Sequence, residues 1–299
     1  MINTYDFMVS HPDYFKQLVV NDMLFLTYKC PQAEKHIRLY THFNQIGFTL
    51  NGKMIIQHRD RSWSLTPNQA LFMRSTAYSQ EMVYDAQWEV VCFFFKDNIL
   101  RQIFNEYRTI LPHTEKPPAG DMIIDLHVNE SVKTFSYGMV PYFAQQPPPS
   151  PSVLELKFKE LLLSILLIPA NAHFLAYVKY ISDCSRPILA EIMEANYTFN
   201  LTLSEFARIC QRSLSAFKRD FTETYHVSPG KWILEKRLGH ARYLLETSLK
   251  NVNEIAADSG FDSPPHFSRT FKEKYGLPPL QYRKTIKASL QTSHTFQTF

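Results

Sequence analysis

The chain is short of cysteine, of long apolar runs and of any cationic, apolar start, and each shortage removes a class of protein. Four cysteines stand at positions 30, 92, 184 and 210 with no paired spacing. That argues against a disulfide frame and for a reducing compartment. No uninterrupted apolar stretch reaches the ~20 residues that a spanning helix needs. The run Leu161–Ile168 is apolar but short, and Pro169 stops it. The N-terminus lacks the basic patch and apolar core of a secretory leader, so a cytoplasmic protein with no membrane partner is expected. With 299 residues, 45% of them hydrophobic, two domains with ordinary cores are the prior.

What the chain does have is uneven charge. Residues 1–185 carry 16 Lys and Arg against 17 Asp and Glu, whereas residues 186–299 carry 16 against 11. The positive excess therefore sits in the C-terminal part, the electrostatic footprint of nucleic-acid binding.

That part holds two similar stretches, residues 202–229 and 251–279. Each opens on a polar residue with Glu three positions on, Thr202/Glu205 and Asn251/Glu254, which is capping-box spacing. Each then breaks, at Cys210–Arg212 and at Gly260–Phe261, and starts a second capped helix at Ser213 or Ser263. Leu214, Phe217, Phe221 and Tyr225 in one, and Phe267, Phe271 and Tyr275 in the other, keep a single apolar stripe. Each stretch ends in proline, at Pro229 and Pro278–Pro279. Two short helices across a tight turn, the second amphipathic with a basic outer face, are the grammar of a helix-turn-helix.

The outward positions of the second helices are the candidate DNA contacts. Ser215, Lys218 and Arg219 in the first unit, and Pro265, His266 and Arg269 in the second, are assigned to base edges, where Arg can bind guanine O6 and N7 together. Arg212, Ser213, Ser263 and Lys272 are assigned to phosphates. A joining helix over about 229–247 would span roughly 28 Å at ~1.5 Å per residue. That is close to the ~34 Å repeat of the major groove, so one chain could enter two successive grooves. Trp232, Ile233, Leu238, Ala241, Leu244 and Leu245 are expected to pack this helix on both units.

These residues carry a resemblance. The stretch 251–283 resembles the signature of AraC/XylS bacterial transcription regulators through Ile255-Ala256, Gly260-Phe261, His266 to Arg269, Phe271-Lys272, Gly276, Pro279 and Tyr282-Arg283. The first unit matches through Ser213 to Ser215, Phe217 to Arg219, Phe221, Ser228-Pro229, Arg237-Leu238, Ala241 and Leu244-Leu245. The resemblance implies double-stranded DNA as the ligand, RNA polymerase as a partner, an activator and a homodimer; no cofactor, metal or catalytic residue is expected.

Residues 1–150 read as short strands: 23–29, 37–42, 45–50, 53–58, 61–65, 69–73, 77–83 and 87–95, with Asn51-Gly52 as a hairpin turn. That spacing points to a β-barrel or jelly roll, and the order resembles the cupin-like sensor domain of AraC relatives, with Asn68-Gln69 where Gly is usual. Metal-using cupins need a His-x-His pair. Here His36, His42 and His58 are scattered, which weighs against a metal-dependent oxygenase with a DNA-binding tail. Phe48, Trp63, Phe72, Trp88 and Phe93 are the candidate ligand pocket, against the alternative of plain core. The controlling signal is then a small molecule or a protein partner, the latter because the chain also resembles regulators of type III secretion; a scaffold without effector is a further alternative.

Residues 98–140 mix signals, with a helix at about 98–107, and the QQPPPSPS stretch 145–152 is a break. Beyond it Leu154, Phe158, Leu161, Ile165 and Ile168 step four, three, four, three, an a/d seam expected either on the chain's own barrel or as a dimer interface. The expected fold is thus α+β in two domains. A cupin-like β-barrel occupies 1–150, a dimerisation helix and linker 151–185, an all-α tandem helix-turn-helix domain 186–288, and a loose tail 289–299.

Overall fold

A computed structural model describes residues 1–30, 34–83, 87–113, 120–183 and 189–286 of the chain. The tail 289–299 and the boundary at 185/186 lie outside the described residues. Two compact units emerge, residues 1–195 with 208–211, and residues 196–207 with 212–299.

The first unit contains eleven strands in two sheets among the described residues. One has the order β1 (Ile2–Asn3), β4 (His36–Tyr40), β9 (Ala77–Met82), β6 (Met54–His58), β7 (Arg61–Leu65). The other runs β11 (Ile123–Leu126), β8 (Ala70–Met73), β5 (Asn44–Asn51), β10 (Glu89–Phe95), β3 (Met23–Lys29), β2 (Lys16–Val20). The expected barrel is therefore two sheets that do not close on each other.

Period-two alternation sorts their side chains. On β10, Val90, Cys92 and Phe94 join Leu24, Leu26, Met54, Trp63 and Tyr78 in one core. Val91, Phe93 and Phe95 point the other way into a core shared with helices. Both faces are covered, which is why β3 and β10 read as nearly unbroken apolar runs.

The turns use the residues that such backbones demand. Gly52 has φ +76° between β5 and β6, and a Cβ there would strike the Gln87 carbonyl oxygen. Asn68 takes φ +68°, supplying the left-handed residue that glycine would otherwise supply.

Helices cover the second face of the six-stranded sheet. After α1 (Thr4–Ser10) come α2 (Asp97–Tyr107), α3 (Glu130–Gly138), α4 (Pro151–Leu166) and α5 (Ala172–Asp183). The structure corrects one expectation here and decides between two alternatives in another. Residues 172–183 are not a linker but a helix, held down by Phe174, Leu175, Val178 and Ile181. The seam Leu154, Phe158, Leu161, Ile165 and Ile168 is committed to the chain's own sheet, each residue at most 8% exposed. Its rhythm marks a packing face, and Phe25, Phe93 and Phe95 around Phe158 are what it packs against. No single helix among the described residues is long and apolar enough to cross a membrane. The short α6 (Leu189–Asn196) ends at the division between the units.

The rest of the described chain is helical: α7 (Leu203–Ile209), α8 (Leu214–Tyr225), α9 (Pro229–Thr247), α10 (Val252–Asp258), α11 (Pro264–Tyr275), and a last helix, α12, over residues 279–286.

Candidate nucleic-acid interface

The two helix-turn-helix units close with the same bonds. Glu205 accepts from the Thr202 amide (2.7 Å) while the Thr202 hydroxyl accepts from the Glu205 amide (3.2 Å). Asn251 and Glu254 repeat the exchange at 2.8 and 2.9 Å. In each turn an amide reaches five residues back, Arg212 to the Ala207 carbonyl and Phe261 to the Ala256 carbonyl, both at 2.9 Å. The left-handed residue is Gln211 in one (φ +54°) and Gly260 in the other (φ +84°). From there to the next cap is two residues in the first unit, Gln211 to Ser213, and three in the second, Gly260 to Ser263. Both second helices end on another left-handed residue, His226 and Gly276, whose amides bond Thr222 and Lys272 carbonyls at 2.8 Å.

Each unit keeps its own interior. Around α8, Phe217 and Phe221 are fully buried, and Phe221 and Tyr225 meet Trp232 of α9 with ring centroids at 5.7 and 5.4 Å. Around α11, Phe267 and Phe271 pack with Ile255, Ala256, Phe261 and the later α9 residues Leu238, Ala241 and Leu245. Thus α9 serves one core with its first turns and the other with its last.

Two arginines named by sequence alone act as internal ties. The Arg237 guanidinium donates to the Tyr197 and Phe199 carbonyls at 2.7 and 2.8 Å, and burial lowers its pKa. Arg283 donates to the Leu245 and Lys250 carbonyls at 3.2 and 2.7 Å, closing α12 onto the end of α9.

What remains outward is the candidate contact surface. Ser215, Lys218 and Arg219 are exposed on α8; Pro265, His266, Arg269 and Lys272 are exposed on α11. Ser213 and Ser263 are the caps, and their hydroxyls accept from the Ala216 and His266 amides at 3.3 and 3.4 Å. Each O–H stays free to donate to a phosphate. Arg212 is different. Its side chain is only 10% exposed, and its Nε donates to Asp220 Oδ2 at 3.0 Å. It is spent on an ion pair across the turn rather than offered to a phosphate. Asp220, which sequence reasoning passed over, also accepts from Arg219 at 3.1 Å, and its carboxyl is held below the usual carboxylate range by Arg212 first and then Arg219.

The proposed pocket residues of the first unit do not converge. Phe48, Phe72 and Phe93 lie in the sheet–helix core, and Trp63 and Trp88 lie between the sheets. Between the sheets a cavity of about 40 Å³ remains, bordered by Tyr28, Gln45, Tyr78, Gln80, Trp88 and Cys92. No three potential metal ligands of the His, Cys, Asp and Glu types come together among the described residues.

Comparison with known proteins agrees with this division. A family described as "ExsA N-terminal regulatory domain" matches residues 44–177, and one described as "Helix-turn-helix domain" matches residues 206–285. The virulence regulon transcriptional activator VirF of Yersinia enterocolitica is 24% identical over 237 residues, which is 79% of this chain and 87% of VirF. The HTH-type transcriptional regulator ExsA of Pseudomonas aeruginosa is 25% identical over 238 residues, covering 79% and 84% of the two chains. Among solved structures, the K231A variant of apo ToxT of Vibrio cholerae strain SCE256 aligns over 89% of this chain and 98% of its own, with 14% identity and a TM-score of 0.39. The chain is thus a DNA-binding transcription regulator, with an N-terminal regulatory domain ahead of a tandem helix-turn-helix domain. Its helix-turn-helix half is of the AraC type.

Proposed function

We propose that this chain is a cytoplasmic transcription activator that reads two successive major grooves of one DNA duplex and from there contacts RNA polymerase. The observation that carries the reading is the pair of outward faces, Ser215, Lys218, Arg219 and Pro265, His266, Arg269, joined by the 19-residue α9. VirF, similar along most of both chains, is named as an activator.

The test starts from duplexes that the full-length protein selects from a randomised pool. Arg219→Ala is expected to lose about 1–3 kcal/mol of discrimination at one base pair, the worth of a bidentate arginine–guanine contact. A uniform loss on every sequence would instead make Arg219 a phosphate contact.

The seam being internal, we place a second copy on the opposite stripe of α4. Val153, Leu156 and Leu167 are 41%, 66% and 43% exposed there, with Leu163 half-buried between them. Control through the first unit is read as protein-mediated: the between-sheet cavity of about 40 Å³ has room for water but not for an effector, and the larger clefts beside Trp63 and beside Phe135, about 660 and 570 Å³, are open surface grooves. The activity needs no enzyme chemistry. Native mass spectrometry of the purified protein checks these points together. The expected species is two chains with neither metal nor small molecule, and Leu156→Glu shifts it to one chain. A bound small mass would overturn protein control, and an unchanged Leu156→Glu dimer would move the interface elsewhere.

A further inference from the structure

A carboxylate stands on α8 beside the residues assigned to DNA, where the phosphates would repel it. Asp220 follows Arg219 directly, and its side chain is 22% exposed. One oxygen, Oδ2, holds Arg212 Nε at 3.0 Å; the other, Oδ1, holds an Arg219 terminal nitrogen at 3.1 Å. Arg212 is itself nearly buried, so the acid is anchored from the turn and held in one place.

The second reader is built otherwise. Thr270 takes the position after Arg269 and donates its hydroxyl to the His266 and Phe267 carbonyls at 2.9 and 3.1 Å. Arg269 has no hydrogen-bond acceptor or ion-pair partner among the described residues. One recognition helix therefore carries a tethered arginine, and the other a free one.

We infer that Asp220 is a positioning residue that fixes the base preference of the first recognition helix by orienting the Arg219 guanidinium. The inference rests on Arg219 reading a base edge. An exposed arginine samples many rotamers, and its planar fork discriminates guanine only when presented edge-on. A carboxylate holding one terminal nitrogen reduces that freedom and leaves the remaining donors for O6 and N7. Its negative charge weakens attraction to every phosphate alike. Asp220 therefore trades general affinity for selectivity, a combination that a purely structural residue does not produce.

The experiment compares the full-length protein, Asp220→Asn, Asp220→Glu, Arg219→Ala and the Arg219→Ala/Asp220→Asn pair. The probes are a selected duplex, its single-base variants and a mixed-sequence duplex. Asp220→Asn is expected to lower the preference at one base position by about 5- to 20-fold, within the range of one bidentate contact. The same variant should bind the mixed-sequence duplex about twofold to fivefold more tightly, as one charge removed near phosphates would do. On the Arg219→Ala background, Asp220→Asn should leave that preference unchanged. Asp220→Glu, which keeps the charge but moves it by one methylene, should retain the fold and lose part of the preference. Preference that stays intact while affinity rises on all duplexes would overturn the inference and leave Asp220 a bystander charge. A parallel loss at every position with a lowered Tm would overturn it in favour of a role confined to the turn. If Arg219→Ala itself spares every preference, the base-edge assignment of Arg219 fails first and takes the inference with it.

Discussion

Gly260→Val is expected to destabilise the second helix-turn-helix by about 2–6 kcal/mol and to abolish specific DNA binding. A β-branched residue held at positive φ costs roughly 1–3 kcal/mol, and forcing backbone apart roughly 1–3 more. Gly260 has φ +84°, and a Cβ there would lie 2.7 Å from the Thr198 carbonyl oxygen and 2.9 Å from Arg237 Nε. Neither can withdraw easily, because Arg237 bonds the carbonyls on both sides of Thr198. Gly276 provides the control. It has φ +81° but open space around a Cβ, so Gly276→Ala should cost only the left-handed strain, about 1–2 kcal/mol. Hydrogen exchange of the α10 and α11 amides in the full-length protein measures both. Equal protection losses in the two variants would refute the steric part of the argument.

Inserting about half a helical turn of DNA, roughly five base pairs, between the two contacted segments of a selected duplex should lower affinity about 10²- to 10³-fold. The helix that spaces the readers is continuous from Pro229 to Thr247 and buried on both units through Trp232, Ile233, Leu238, Ala241 and Leu245. It cannot turn one reader half a revolution without breaking a core. A full-turn insertion of about ten base pairs restores the face but not the distance, so it too should bind weakly. Titration by fluorescence anisotropy on the three duplexes decides the matter. Equal affinity on all of them would mean that only one helix enters a groove.

The helix-turn-helix units were legible because their determinants are local. Caps such as Asn251 with Glu254, a left-handed turn at Gly260 and a stripe such as Phe267 and Phe271 are all set within a few residues. Partners distant in sequence were not legible. The steps from Leu154 to Ile168 marked a packing face correctly, but periodicity names the face and not what covers it. Which of the aromatics share a face was hidden for a related reason. Strands apolar on both faces, such as β10, do not reveal which alternate residues meet the other sheet and which meet helices. β11 and α3 went unplaced because residues 98–140 have no steady period. Arg212 reads from sequence as a phosphate contact because nothing local shows that the turn brings Asp220, eight residues on, within 3.0 Å.

The shared helix has a consequence for how such a regulator changes over time. The aromatic cluster of the first reader and the cluster around Phe271 meet different stretches of α9. Outward substitutions on α8 or α11 therefore leave both interiors intact. On the proposed two-groove reading, half of the DNA address can drift while the other half keeps the protein at its promoter, so a new target is reachable through intermediates that still bind.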